Sequence, residues 1–186
     1  MRWQTCSWTL SAGRAAPEGD EGVKMDTWRV ALLALTMIME ARNQPDVGKA
    51  MVAQVAMNRA GGEQIEQTLF QPRQFAVWGG DVYGPGHSLR LAVLECESQG
   101  AFPDDPWCIE RWMEAHHPRW WRQLRVGSGE NWHHVWALAL AVYDGSWQPP
   151  PELADKTHFD NPNYWPGGLP PWLYNCERVG DHVFCE

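Results

Sequence analysis

The segment from Val30 to Met39 is the longest apolar run of the sequence, and Thr36 is its only polar residue. It holds ten residues, whereas a membrane-spanning helix needs about 20, so stable membrane insertion is not expected. The run lies within a helical pattern from about Thr27 to Asn43, which ends because Pro45 restricts the residue before it. We interpret it as the first helix of a buried core. A cleaved secretion signal is the alternative, but no basic cluster precedes the run and no small-residue cleavage site follows it.

The remaining pattern predicts one mainly α (α+β) domain. Asp46 to Ala60 reads as a second helix, started by Pro45 and ended by Gly61-Gly62. Further helical segments are expected at Glu63 to Phe70, Ser88 to Gln99, Asp105 to Arg125 and Glu130 to Asp144. Residues 1–24 show no sustained period and are interpreted as a disordered or non-native extension, which leaves 25–186 as the working domain.

The C-terminal segment predicts a small β-hairpin with a two-residue turn at Gly180-Asp181. The expected cross-strand pairs are Val179 with His182, Arg178 with Val183, Glu177 with Phe184 and Cys176 with Cys185. The cysteine pair falls on a non-hydrogen-bonded position, where a cross-strand disulfide fits. With five cysteines, at least one is unpaired within a monomer. Cys96 and Cys108 have no such register and are expected to be buried small apolar residues.

Charge and aromatic content narrow the class of ligand. Fifteen basic against 23 acidic residues give a formal net charge of −8, so a nucleic-acid partner is not expected. The 13 tryptophans outnumber the 4 tyrosines and 5 phenylalanines together. Such indoles either fill the core or offer flat apolar faces to a ligand. Trp28 and Trp136 lie at apolar helical positions and are expected in the core.

Glu40 is the residue with the most distinctive position. It follows the apolar run and lies in the last turn of its helix, where desolvation and the helix dipole both favour the protonated carboxyl group. A glutamic acid that keeps its proton near neutral pH suits a general acid. The alternative is an exposed helix-end residue paired with Arg42, Lys49 or Arg59.

Four sequence blocks, in order, carry a family resemblance. They are IMEARNQPDVGKAMVAQVAMNRA (Ile38 to Ala60), FQPRQFAVW (Phe70 to Trp78), KTHFDNPNYWP (Lys156 to Pro166) and the terminal VGDHVFCE. Together they resemble the SleB-type, spore cortex-lytic cell-wall hydrolases. The segment 79–131, which contains Trp107, Trp112, Trp120 and Trp121, lies outside the resemblance.

The resemblance implies a lysozyme-like helical domain that presents Glu40 as its catalytic residue to a groove for peptidoglycan glycan strands. By the same resemblance, the residues expected to line or support the groove are Asn58, Gln71, Phe75, Thr157, His158 and Trp165. Trp78 and Trp165 are the candidates for stacking on sugar rings. The expected reaction is that of a lytic transglycosylase or a muramidase, with no metal or organic cofactor.

Three alternatives remain open from the sequence. A glycosidase with two carboxylates would use Asp160 or Glu177 as the second. A zinc amidase or peptidase would use His158, Asp160 and His182, although no HExxH-type spacing supports it. A non-catalytic carbohydrate-binding module would suit the tryptophan content.

The biological setting expected from the sequence is that of a phage endolysin. Such a protein is made in the host cytoplasm and acts in the periplasm on the bacterial cell wall, with a holin as the route of release. This expectation comes from a compact domain that shows neither a wall-anchoring module nor a convincing signal. A monomer is expected.

Overall fold

Six helices and a three-stranded sheet form the described part of the protein. The computed structural model describes residues 27–61, 64–71, 74–75, 78, 85–102, 105, 107–119, 132–165 and 167–186. The helices are α1 (Thr27–Glu40), α2 (Asp46–Ala60), α3 (Ile65–Leu69), α4 (Pro85–Ser98), α5 (Trp107–His116) and α6 (Trp132–Tyr143). The strands are β1 (His158–Asp160), β2 (Glu177–Val179) and β3 (His182–Cys185), and short 3-10 turns occupy Pro151–Leu153 and Pro162–Tyr164. The predicted class, mainly α with a small C-terminal β-hairpin, is confirmed; the expected extension, 1–24, lies outside the described residues.

Helix α1 is the centre of the core. All residues from Val30 to Met37 are buried, and α2, α3, α4 and α6 pack against the helix. A helix that is apolar on every face is stable in water only when other elements cover every face. Within the described ranges, no helix is long and apolar enough to cross a membrane.

The bounds of the first two helices follow from local backbone chemistry. Helix α2 spans the predicted residues, and Gly61 ends it in a left-handed conformation (φ +57°) with its N–H donated to the Met57 carbonyl. Helix α1 ends at Glu40, three residues before the predicted end. The reason is that Asn43 itself adopts φ +63°, so the chain has left the helix before Pro45.

The sheet has the order β1-β3-β2 and is antiparallel throughout. The predicted hairpin register is confirmed, with Glu177 opposite Phe184, Arg178 opposite Val183 and Val179 opposite His182. In addition, β1 pairs with β3, so that His158 lies opposite Cys185 and Asp160 opposite Val183. The third strand was not predicted, because three residues are too short for a period-two pattern.

Two disulfides occur among the described residues. Cys176 is joined to Cys185 across the hairpin, with their Cα atoms 4.2 Å apart. Cys96 is joined to Cys108, with Cα atoms 5.8 Å apart, because α4 and α5 pack against each other. The expectation that these two residues are buried was right, but the expectation that they are unpaired was wrong. Only the packing of α4 on α5 brings them together.

The tryptophans divide between core and surface. Trp28 and Trp136 pack against the core as predicted, and so does Trp112. Trp107 is 46% exposed. Positions 120 and 121 lie outside the described residues.

The turn of the hairpin docks on the corner between α1 and α2. The side chain of Gln44 accepts a hydrogen bond from the Asp181 N–H (2.8 Å) and donates one to the Asp181 carboxylate (3.2 Å). Gly180 allows this approach, since its φ is +61° and a Cβ atom there would overlap Gln44 Oε1 and lie 3.0 Å from Pro45 Cδ. The corner that follows Glu40 is thereby fixed to the sheet.

We predict that Gly180→Ala destabilises the protein more than Gly61→Ala does. Both glycines have a left-handed φ, which costs a residue with a Cβ atom about 1 kcal/mol, but nothing lies within 4 Å of a Cβ atom at Gly61. Displacing the Gln44 side chain, which breaks its hydrogen bonds to Asp181, should add about 1 kcal/mol for Gly180→Ala. Chemical denaturation measures both free energies of unfolding, and equal losses would show that the docking contact contributes nothing.

Candidate functional site

Glu40 lies where the buried core meets the surface. It is the last residue of α1 and is half-buried, while the Val30–Met37 segment before it is buried throughout. One turn earlier, Thr36 donates to the Leu32 carbonyl (2.7 Å) and accepts a hydrogen bond from the Trp78 indole (2.8 Å). The one polar residue of the apolar run is thus hydrogen-bonded inside the core, beneath the turn that carries Glu40.

Trp78 belongs to the core. Only 6% of its surface is exposed, its N–H is bonded to Thr36, and its ring lies edge-on to Phe70 at 5.4 Å. An indole in this position has no face available to a sugar ring. The structure therefore corrects the expectation that Trp78 stacks on the substrate, and the resemblance could not reveal this because it gives the order of residues and not their burial.

Asn58 connects the end of α2 to the segment before β1. Its amide nitrogen donates to the carbonyls of Ala154 and Lys156, both at 2.8 Å, and its amide oxygen accepts a hydrogen bond from Gln54 (2.8 Å). Since both ends of the amide are engaged within the protein, Asn58 supports the site and does not reach for a ligand.

Arg59, expected from the sequence only as a possible partner of Glu40, connects three of the expected site segments. Its guanidinium donates to the carbonyls of Thr157 and Gln74 and lies 5.3 Å from the centre of the Phe75 ring. Burial lowers the pKa of Arg59 below its ordinary value. The sequence feature that indicates this role is the position of Arg59 next to Asn58, at the end of a helix that is mostly buried.

Phe75 and Gln71 differ in exposure. Phe75 is buried and its ring lies 5.9 Å from that of Phe159 on β1, so it joins the helices to the sheet and does not line a groove. Gln71 is exposed just after α3, and its backbone carbonyl accepts a hydrogen bond from the Gln74 N–H (3.3 Å). Of these two expected site residues, only Gln71 has a surface that a substrate could touch.

His158 and Thr157 form a half-buried polar pair at the start of β1. Their Nδ1 and Oγ1 atoms are 3.0 Å apart. Burial, together with the charge of Arg59, lowers the pKa of His158. The imidazole also lies edge-on to Trp172, with ring centres 5.5 Å apart. His158 is therefore a neutral ring near neutral pH that supports an aromatic neighbour.

Trp165, one of the two candidates for stacking on sugar rings, is exposed. Its indole N–H donates to the Asp160 carboxylate at 2.6 Å, and 41% of its surface is exposed. The other Asp160 oxygen accepts the N–H of Asn161 (2.7 Å). Trp172 and Tyr174, which were not among the expected site residues, are exposed nearby along the chain. Their signal is the run of aromatic residues among prolines and glycines after position 164.

We call Trp165 and residues 167–176 the aromatic loop. Lys156, whose surface is only 2% exposed, holds its far end by donating from Nζ to the Asn175 carbonyl (2.6 Å) and the Glu186 carboxylate (3.1 Å). The Glu186 N–H bonds to the Tyr174 carbonyl (3.0 Å), and the Cys176 disulfide closes the loop onto β3. A buried ammonium group needs such partners.

The expected residues fall into two neighbouring groups, one at each end of β1. Asn58, Thr157, His158 and Phe75 meet around Arg59 at the C-terminal end of α2. Asp160, which accepts the hydrogen bond of Trp165, pairs with Val183 near the hairpin turn. Gln44 fixes this turn to the corner that follows Glu40. Glu40 is four residues from Gln44, and so lies within about 15 Å of it.

The three residues of the zinc alternative do not converge. Side chains alternate along a strand, so His158 and Asp160 lie on one face of the sheet. His182 lies on the other face, against Phe159 (5.7 Å between ring centres) and Phe184 (6.3 Å). The part of the chain that the structure describes contains no group of three metal-ligating residues.

Comparison with known proteins gives one structural likeness. No protein-family model matches the chain, and no curated protein matches it. A solved structure similar to it is the catalytic domain of the Bacillus cereus SleB protein, at 18% identity over 95% of this chain and 100% of that chain, with a TM-score of 0.47. An identity of 18% leaves the chemistry to be judged from this chain's own side chains.

We predict that acid destabilises the protein partly through His182. Burial lowers the pKa of His182, and the charges of Asp181 and Asp160 offset this only in part; its Nδ1 has no hydrogen-bond partner among the described residues. Below about pH 6.5 the unfolded chain therefore binds a proton that the folded chain does not. The free energy of unfolding consequently decreases as the pH is lowered. His182→Phe should flatten the fall in unfolding free energy between pH 7 and pH 5. If the unfolding free energy of His182→Phe fell as steeply with decreasing pH as that of the wild type, the prediction would be wrong.

Proposed function

We propose that this protein cleaves the glycan strands of peptidoglycan with Glu40 as general acid and base. The observation that carries the proposal is the position of Glu40, a half-buried residue at the end of a helix whose Val30–Met37 segment is buried throughout. The four ordered sequence blocks that resemble SleB-type cell-wall hydrolases support this assignment, because Glu40 occupies the position of the catalytic glutamate in the motif that they resemble.

The chemistry that suits one carboxyl group is that of a lytic transglycosylase. Glu40 first protonates the glycosidic oxygen, and the bond from the muramic C1 atom to that oxygen breaks. The resulting carboxylate then accepts the proton of the muramic C6 hydroxyl while the C6 oxygen forms a bond to C1. The product carries a 1,6-anhydro ring, and Glu40 regains its proton. The substrate's N-acetyl group can assist, so no protein nucleophile is needed.

The two candidate second carboxylates favour this one-carboxylate route. Both oxygens of Asp160 accept hydrogen bonds within the protein, from Asn161 and Trp165, and Glu177 is exposed on β2. A hydrolytic enzyme would place a second carboxylate roughly 5 to 9 Å from the first, across the scissile bond. Muramidase action is the second form of the same proposal, with Asp160 as its candidate residue.

The disulfides support action outside the reducing cytoplasm. Cys96–Cys108 and Cys176–Cys185 are bonded pairs, and such bonds persist in oxidising compartments such as the bacterial periplasm. A phage endolysin that is made in the host cytoplasm and released by a holin would acquire them on reaching its substrate.

We predict that Glu40→Gln lowers the rate of peptidoglycan cleavage by about 10²- to 10⁴-fold, the usual contribution of a general acid or base. Glutamine keeps the size of the side chain but cannot transfer the proton. Mass spectrometry of muropeptides released from purified sacculi measures the rate and identifies the product. Anhydro ends indicate transglycosylation, reducing ends hydrolysis, and free peptides an amidase.

The matched control is Glu177→Gln, which removes an exposed carboxylate from β2 and should leave the rate unchanged. Thermal unfolding of both variants checks that the fold is retained. An unchanged rate in a folded Glu40→Gln variant would overturn the catalytic assignment.

A further inference from the structure

We propose that Trp165 and Trp172 form a two-indole platform that binds a glycan strand, and that Asp160 is the positioning residue of the first ring. This inference rests on the proposed function, whose substrate it places on the protein. It adds Trp172, which neither the sequence blocks nor the comparisons single out, and it gives Asp160 a role other than catalysis.

The exposure of the aromatic loop carries the first step. Trp172 is 60% and Tyr174 is 63% exposed, whereas most large apolar side chains of the described residues pack in or against the core. Exposing an indole to water forgoes the gain of burying it, so exposed rings that are held in place suggest a ligand with flat apolar faces. The C–H faces of sugar rings are such a ligand.

The attachment of the two indoles to one strand carries the second step. Trp165 is bonded to Asp160 at 2.6 Å, and Trp172 lies edge-on to His158 at 5.5 Å. These two residues belong to β1 and are two positions apart, so they lie on the same face with about 7 Å between them. The two rings are therefore anchored at neighbouring positions on one face of the sheet.

The rigidity of the loop carries the third step. Its start is held by Asp160, and its end by Lys156 and the Cys176–Cys185 disulfide. A platform ordered before binding loses little conformational entropy when the ligand arrives. The polar groups beside the rings, the Asp160 carboxylate and the imidazole of His158, suit hydroxyl groups better than they suit an apolar protein helix.

The test is co-sedimentation with purified sacculi, carried out in the Glu40→Gln background so that the ligand is not consumed. Trp172→Ala and Trp165→Ala should each weaken binding about three- to tenfold, the scale of one aromatic contact. Trp107→Ala is the matched control, because Trp107 is also exposed and lies edge-on to a histidine, His133, at 5.7 Å. It should bind as the parent does.

The positioning role of Asp160 is tested with variants that remove or keep the oxygen that accepts the indole hydrogen bond. Asp160→Ala and Trp165→Phe each break the indole hydrogen bond and should weaken binding about threefold, while Asp160→Asn keeps one acceptor oxygen and should restore most of it. Equal losses of binding in Asp160→Asn and Asp160→Ala would show that the acceptor oxygen does not hold the ring, and would overturn the positioning role.

The outcomes separate this inference from the proposed function. If Trp172→Ala and Trp172→Phe are folded by circular dichroism and bind sacculi as the parent does, the platform is overturned, whether or not Glu40 is catalytic. If they lose binding while Glu40→Gln still lyses sacculi, the platform stands and the catalytic assignment fails. Equal losses with Trp107→Ala would indicate general adhesion of exposed tryptophans and would overturn the platform.

Discussion

The burial of α1 is the constraint on which the remaining structure depends. Because the segment Val30–Met37 is covered on every side, the helix needs α2, α3, α4 and α6 around it. The same packing decides where Glu40 lies. The last three residues of α1, 38–40, are only half-buried, and the hydrogen bond from Trp78 to Thr36 lies in the turn before Glu40.

The sheet is attached to the helices near the candidate site by hydrogen bonds at two places. Gln44 fixes the hairpin turn to the corner that follows Glu40, and Arg59 holds the segment before β1 to the end of α2. Strand β1 then carries His158 and Asp160 on one face. The catalytic candidate belongs to the helical core, whereas the exposed aromatic rings belong to the sheet and its loop, so the two proposed roles fall on different parts of the fold.

Several elements could be predicted from the sequence because their causes are local. The bounds of α2 follow from Pro45 and Gly61, and the register of the hairpin follows from the Gly180-Asp181 turn. The bond between Cys96 and Cys108 could not be predicted, because it depends on how α4 packs on α5. The core position of Trp78 could not be predicted either, since a resemblance of sequence blocks does not distinguish a buried indole from an exposed one.

By itself, the sequence determined a mainly helical chain with a C-terminal hairpin, and it singled out Glu40 at the end of an apolar helix. The tertiary structure decided which aromatic rings are exposed, which expected site residues are engaged inside the protein, and which cysteines meet. The physical reason is the distance along the chain over which each interaction acts. Caps, turns and periodicity act over a few residues, while the burial of a ring or the pairing of a buried lysine depends on segments far apart in the chain, as Lys156 and Glu186 illustrate.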